Sequence, residues 1–203
     1  MEGKDAYAEL SSIRDLMERS SKFISLSGLS GVLAGVYALA GAGLAHKIIT
    51  DQSNSGIPGE GGSILFSPLV GIALAVLILS LVTSYWLTSR RAKKRNEHVW
   101  NPVSRRLLMA SGIPFFTGGL FIAILLWKGE HIPIAAACLI FYGLALVAGS
   151  QYTYQAVKWL GIGEILLGLL ALIYPGNGLL LWTLGFGVLH IVYGIFMHFK
   201  YER

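Results

Sequence analysis

Residues 64–87 read ILFSPLVGIALAVLILSLVTSYWL, an apolar run without a charged side chain. A helix needs roughly 20 such residues to cross the hydrocarbon of a bilayer. Five other stretches have a similar character, and the six predicted spans are residues 23–49, 64–87, 107–127, 132–149, 159–174 and 178–199. Because the bilayer interior contains no water, the backbone of each span has to form its hydrogen bonds internally. The sequence therefore predicts an all-α fold, a six-helix transmembrane bundle.

The composition agrees with this prediction and excludes several classes of protein. Hydrophobic side chains make up 54% of the chain and charged ones 13%, whereas an average soluble domain carries about 25% charge. The formal charge is +5, but most of the excess lies in one short stretch, so no nucleic-acid partner is expected. The single cysteine, Cys138, allows neither an intramolecular disulfide nor a cysteine-based metal site. We expect no metal, no cofactor and no enzymatic activity.

The basic residues predict the orientation, because Lys and Arg near helix ends are retained on the cytoplasmic side. With the N-terminus inside, all of the 16 Lys and Arg residues except Lys47 and Lys128 fall on the inner side. Both termini are therefore predicted to be cytoplasmic, in a multi-pass protein of the bacterial inner (plasma) membrane.

The chain divides into two predicted parts. Residues 1–22 are rich in charge, with apolar residues at helical spacing, and predict a short amphipathic cytoplasmic helix that rests on the headgroups or binds a cytoplasmic protein partner. Residues 23–203 form one transmembrane domain, which contains a basic cytoplasmic loop at 89–106. We expect anionic lipids to bind the basic residues of that loop, namely Arg90, Arg91, Lys93, Lys94, Arg95, Arg105 and Arg106.

Glycines recur with a spacing of seven in the odd-numbered spans, and a Tyr-Gly pair recurs in two even-numbered ones. The glycine pairs are Gly28 with Gly35, Gly112 with Gly119, and Gly161 with Gly168. The even-numbered spans carry FYGL at 141–144 and VYGI at 192–195. Seven residues is about two helical turns, so each glycine pair marks one helix face. The pattern predicts three related helical hairpins, close helix packing at these glycines, and a homo-oligomer formed through them.

Residues 161–193, GIGEILLGLLALIYPGNGLLLWTLGFGVLHIVY, resemble a hairpin of the HdeD-like family of small bacterial acid-resistance membrane proteins. That family has six helices built from repeated glycine-rich hairpins, with a proline at the outer turn that corresponds to Pro175. The resemblance covers about a third of the chain. It implies a stress-related role in the cell envelope and no catalytic residues.

Glu164 is the only acidic residue within a predicted span. An ionisable group at that depth costs roughly 2.5 kcal/mol or more, so it is a functional candidate whose partner should be sought. The turn before span six centres between Gly176 and Asn177, which places Glu164 level with His190. Tyr193 follows His190 by three residues and therefore lies on the same helix face.

These three residues form the predicted cluster, with His198 nearer the inner surface as a water-linked addition. Carboxylate and imidazole groups are those used in proton relays and pH sensing. The cluster therefore predicts a protein that conducts or senses protons or a small solute. The alternative is a structural or stress-response membrane protein, in which the same cluster only holds helices together.

A third possibility is an intramembrane hydrolase. Gly28-Leu29-Ser30-Gly31 resembles the GxSG motif of rhomboid proteases, which would make Ser30 a nucleophile and His190 its base. In that family the serine belongs to the fourth helix, whereas Ser30 lies in the first span.

Overall fold

The computed structural model describes residues 27–55, 68–94 and 98–201, and all regular elements in this part of the chain are helical. The first five long helices are α1 (Gly28–Ser55), α2 (Pro68–Lys94), α3 (Pro102–Lys128), α4 (Ile134–Gly149) and α5 (Gln155–Ile173). The sixth span, Pro175–Tyr201, contains α6 (Gly178–Trp182), a π-helical segment (Thr183–Leu189) and α7 (His190–Tyr201). Six helices of the described chain are thus long and apolar enough to cross a membrane, which confirms the predicted number of spans. The predicted amphipathic helix at 1–22 lies outside the described residues.

The C-terminal end of α2 and the N-terminal end of α3 extend further than the hydropathy pattern predicted. Helix α2 continues to Lys94, and α3 begins at Pro102, so helix takes up both ends of the stretch predicted as a basic loop. Asn101 caps α3: its side-chain oxygen accepts the backbone N–H of Ser104 at 2.8 Å, and the Ser104 hydroxyl accepts the Asn101 N–H at 2.9 Å. Lys and Arg are good helix formers, so both helices continue into charged residues where the hydrophobic pattern has ended.

The long helices pack in the order α2, α1, sixth span, α5, α4, α3. Helix α1 contacts both α2 and the sixth span, while α5 contacts the sixth span and α4, and α4 contacts α3. The buried core lies among α4, α5 and the sixth span, where Ala136, Leu139 and Ala171 are almost fully enclosed. Helices α2 and α3 stand at the two ends of this order and leave most of their surface exposed.

Small residues bring α1 into direct contact with the sixth span at two levels. A Cβ added at Gly28 would lie 2.5 Å from the carbonyl oxygen of Gly194, and one added at Gly35 would lie 2.6 Å from that of Gly187. Both distances are shorter than carbon and oxygen atoms tolerate, so any side chain there would separate the backbones. The two helices therefore depend on glycine at both levels.

The α4–α5 contact repeats the same arrangement. A Cβ added at Gly143 would lie 2.6 Å from the carbonyl oxygen of Gly161, and one added at Gly168 would lie 3.0 Å from that of Ala136. In both interfaces small residues seven apart on an odd-numbered span meet small residues seven apart on an even-numbered span.

The remaining glycine pair has different surroundings. A Cβ added at Gly119 would meet no described atom within 4 Å, and one added at Gly112 would meet only the Phe116 ring of the same helix, at 3.9 Å. It is the adjacent Gly118 whose missing side chain admits Phe141 of α4.

Candidate functional site

Glu164 and His190 form a buried pair between α5 and the sixth span. Glu164 lies midway along α5 and is completely enclosed, while His190 begins α7 and is 5% exposed. The imidazole Nδ1 lies 3.3 Å from Glu164 Oε1. The short turn Pro175–Asn177 sets this register, and the pairing predicted from the hairpin geometry is confirmed.

The hydrogen bonds of His190 define its tautomer. Nδ1 lies 3.0 Å from the carbonyl oxygen of Gly185, which can only accept, so Nδ1 carries a hydrogen and donates it. On the other side of the ring, Nε2 lies 2.9 Å from the hydroxyl oxygen of Tyr142 on α4. When the imidazole is neutral, Nε2 accepts the Tyr142 hydroxyl hydrogen. The ring thus connects α4 to the sixth span and contacts α5.

The carboxyl group of Glu164 is enclosed, but its hydrogen-bonding capacity is not met. Within the described residues neither Oε1 nor Oε2 has a hydrogen-bond partner, although Oε1 is within ion-pair distance of Nδ1. The Nδ1 hydrogen is directed to Gly185 instead, which explains how a short distance coexists with an unmade bond. A fully buried carboxylate in this condition is energetically costly.

Gly185 creates the space that the carboxyl group occupies. A Cβ added there would lie 2.5 Å from Glu164 Oε2 and 2.5 Å from the Leu139 side chain of α4. Gly185 belongs to the π-helical segment, and such segments are frequent at functional sites. The backbone N–H of His190 donates to the carbonyl oxygen of Gly187, and its imidazole Nδ1 donates to that of Gly185.

Aromatic rings cover the imidazole toward the start of the sixth span. Phe186 stacks on His190 with ring centroids 5.7 Å apart, and Trp182 lies 5.0 Å from Phe186. Tyr142 lies 5.0 Å from Phe186 and 5.4 Å from His190. The rings of Tyr142, Phe186 and Trp182 thus form one continuous group beside His190, which we name the aromatic cap.

The two remaining residues of the predicted cluster, Tyr193 and His198, lie toward α1. Tyr193 lies against α1, where its Cδ1 would be 3.2 Å from a Cβ at Gly31. His198 is half-buried near the C-terminal end of α7, beside the start of α1, and meets Phe199 edge-on at 5.9 Å. Tyr142 of α4, which was not among the predicted site residues, bonds to His190.

Sequence reasoning missed Tyr142 because it compared only the two helices of the last hairpin. The signal was present in the repeat, since Tyr142 precedes Gly143 as Tyr193 precedes Gly194. Gly143 packs on Gly161, less than one turn before Glu164, and this contact brings Tyr142 to the level of the carboxyl group.

The other predicted site residues are distributed over the helix ends and the first span. Arg91 donates to the carbonyl oxygen of Tyr201 at 3.0 Å, and the Arg90 guanidinium lies 3.8 Å from the ring centroid of Trp86. Among the residues predicted to bind anionic lipid, the exposed ones are Arg90, Lys93, Lys94, Arg105 and Arg106, whereas Arg95 lies outside the described residues. The Ser30 hydroxyl, buried in α1, donates to the carbonyl oxygen of Ser27 at 2.6 Å.

Among the described residues no group of three or more His, Cys, Asp or Glu side chains is arranged to hold a metal ion. The chemistry available at the site is therefore that of a carboxyl group, an imidazole and a phenol in contact. Comparison of the chain with protein-family models, curated proteins and solved structures gave no match.

Proposed function

We propose that this multi-pass membrane protein responds to pH by binding and releasing a proton at the Glu164–His190–Tyr142 cluster, without catalysing a reaction. The observation that carries the proposal is the Glu164 carboxyl group, which is fully buried and has no hydrogen-bond donor on either oxygen. The cluster lies in the middle of three apolar spans, where a net charge is costly.

The cluster has two charge states that differ by one proton. With Glu164 ionised and His190 neutral it carries one negative charge, and an added proton on either residue removes that charge. Since the two groups are 3.3 Å apart, the charge on one acts directly on the other. Removing a charge at mid-membrane is worth roughly 2.5–3.5 kcal/mol on insertion scales, so proton occupancy and helix packing are energetically coupled.

The surroundings of the cluster favour sensing over conduction. The aromatic cap covers His190 on the side of Trp182, so apolar rings lie between the imidazole and that end of the span. A protein that conducts protons needs a wet or polar route on both sides, whereas a sensor needs only slow exchange at one site.

The cytoplasmic location of both termini remains part of the proposal. Two contacts support it. The start of α1 lies beside the end of α7, because Gly28 lies against the backbone of His198. Arg91 bonds to Tyr201 at the same end. Basic residues of α2 and α7 therefore gather on one side, as expected for the inner side of a plasma membrane, where anionic lipids would bind them.

A structural role is the second candidate, favoured by one specific observation. His190 bonds at once to Tyr142 on α4 and to Gly185 in its own span, and so ties these elements together without any need for titration. In that case the pair would hold the same number of protons at every physiological pH.

The experiment that separates these candidates uses Trp182 as a reporter, because it lies in the aromatic cap. The other four tryptophans are exposed and can be changed to phenylalanine; they are Trp86, Trp100, Trp127 and Trp159. The single-tryptophan protein is reconstituted in liposomes, and its emission is recorded between about pH 5 and about pH 8. A proton flux assay on the same liposomes detects conduction.

We expect one titration step in Trp182 emission that disappears in Glu164→Gln, because glutamine keeps the shape of glutamate but does not ionise. The matched control is Glu130→Gln, which changes an exposed acid at the α3–α4 turn and should leave the step in place. An emission that does not depend on pH, or a step retained by Glu164→Gln, would reject the proposal and favour the structural role. Steady proton flux that Glu164→Gln abolishes would replace sensing by conduction.

A further inference from the structure

The π-helical segment contacts the proton-binding cluster on one side and α1 on the other. Gly185 faces Glu164 and Leu139, whereas Gly187, two residues later, lies against Leu39 and the carbonyl oxygen of Gly35. We infer that this segment is the element through which the cluster's proton controls the packing of α7 on α1. The inference rests on the proposed function and names its mechanical consequence.

The hydrogen atom on His190 Nδ1 has two possible acceptors, the Gly185 carbonyl oxygen and Glu164 Oε1. It lies 3.0 Å from the Gly185 carbonyl oxygen and 3.3 Å from Glu164 Oε1, and the structure has it directed to the carbonyl. An ionised carboxylate is a stronger acceptor than a carbonyl oxygen, because hydrogen bonds to charged groups are shorter and about twice as strong. Loss of the cluster's proton therefore turns Nδ1–H from Gly185 toward Glu164.

The Gly185 carbonyl then loses the donor that the imidazole supplied, and a lost backbone hydrogen bond is costly in the bilayer. In α-helical register the donor to this carbonyl is the backbone N–H four residues later, that of Leu189. Forming that bond converts the wide π turn into an α turn. The number of residues per turn falls, and α7 rotates relative to α6.

The contact with α1 does not tolerate such a rotation unchanged. Gly28 and Gly194 meet so closely that a Cβ on Gly28 would be 2.5 Å from the Gly194 carbonyl oxygen. Turning α7 removes Gly194 and Gly187 from their places opposite Gly28 and Gly35 and brings larger neighbours into the contact. The two helices must then separate or change register, so the proton state of the cluster changes the packing of α7 on α1.

In the described part of the chain, the groups around the Glu164–His190 pair come from α4, α5, α7 and α1. Helix α4 contributes Tyr142, which bonds to Nε2, and α7 contributes Tyr193, three residues after His190. Helix α5 contributes Glu164 itself, and at this level α1 presents Gly35 and Leu39 to the π-helical segment.

The test is a pair of spin-label distances measured in bilayers at about pH 5 and about pH 8, in a Cys138→Ala background. One label is placed on α5 at Leu166→Cys, and the second either on α7 at Val192→Cys or on α6 at Leu180→Cys. All three positions are exposed. The Leu180 pair is the matched control, because it lies before the π-helical segment and should not move.

We expect the distance between labels at 166 and 192 to shift with pH, and that between 166 and 180 to stay constant. Glu164→Gln should hold both distances at their low-pH values. If Glu164→Gln does not fold, the contrast between the two pairs in the native background still decides the matter. The inference is overturned if the 166–192 distance is constant, or if both distances shift equally.

The two proposals fail in distinguishable ways. A titration step in Trp182 emission together with a constant 166–192 distance would leave the proton site standing and remove the switch. Absence of the emission step would remove the proposed function, and the switch with it.

Discussion

Alanine at Gly143 should destabilise the fold, whereas alanine at Gly119 should not. The Gly143 Cβ would lie 2.6 Å from the Gly161 carbonyl oxygen, 2.7 Å from Ile165 Cγ1 and 2.9 Å from the Ile165 backbone nitrogen. Two of these three atoms belong to the backbone, so relief requires that α4 and α5 move apart. Overpacking of this kind costs about 1–3 kcal/mol, while alanine in a helix gains about 0.5–1 kcal/mol over glycine.

At Gly119 only the gain applies, because an added Cβ would meet no described atom within 4 Å. Because the gain applies at both sites, the free energy of unfolding of Gly143→Ala should fall roughly 1–3 kcal/mol below that of Gly119→Ala, the lower end following if part of the clash relaxes. Detergent-driven unfolding in mixed micelles, followed by tryptophan emission, measures the difference. Equal stability of the two variants would refute the claim that α4 and α5 meet backbone to backbone at Gly143.

Three further substitutions test the site and the contact of Arg91 with the C-terminal end of α7. Tyr142→Phe removes the donor to His190 Nε2 and should cost about 1–3 kcal/mol in the same unfolding assay, since the nitrogen is left unpaired; an unchanged stability would contradict the bond. Gly185→Ala should abolish the Trp182 titration step by pushing Glu164 out of its place, and retention of the step would show that the carboxyl group has room elsewhere. Arg91→Ala should lower the unfolding free energy by about 0.5–1.5 kcal/mol through loss of its bond to the last turn of α7, and an unaltered unfolding curve would count against this bond.

The six spans and the pairing of Glu164 with His190 were accessible from the sequence for definite physical reasons. A bilayer requires long apolar segments, and these are visible as hydropathy. The turn Pro175–Asn177 is so short that it fixes which residues of α5 and the sixth span stand level. Local constraints of this kind need no knowledge of how distant helices are arranged.

Tyr142 and the unequal roles of the glycine pairs depend on that arrangement. Spacing by seven marks a helix face, but it does not say which helix the face meets. Gly161 therefore packs tightly on α4, while Gly119 has the same spacing and no close neighbour in the described chain. The order in which α4, α5 and the sixth span assemble is a property of the whole bundle.

The π-helical segment had no signal in the residue pattern. Gly185 and Gly187 are not among the predicted packing glycines, yet both pack closely. The wide turn between them arises because Gly185 has to make room for Glu164 while its carbonyl accepts from His190. A feature that results from three elements acting together cannot be read from the spacing within one of them.

The most direct test of the central claim is nuclear magnetic resonance of His190 and Glu164 in bilayers, with ¹⁵N in the imidazole and ¹³C in the carboxyl group, across a pH titration. The account predicts that both groups change together in a single step, that Nδ1 keeps its hydrogen throughout, and that the midpoint for His190 moves in Glu164→Gln. A His190 signal that stays constant over the titration, or one that titrates identically with and without the carboxylate, would contradict the account.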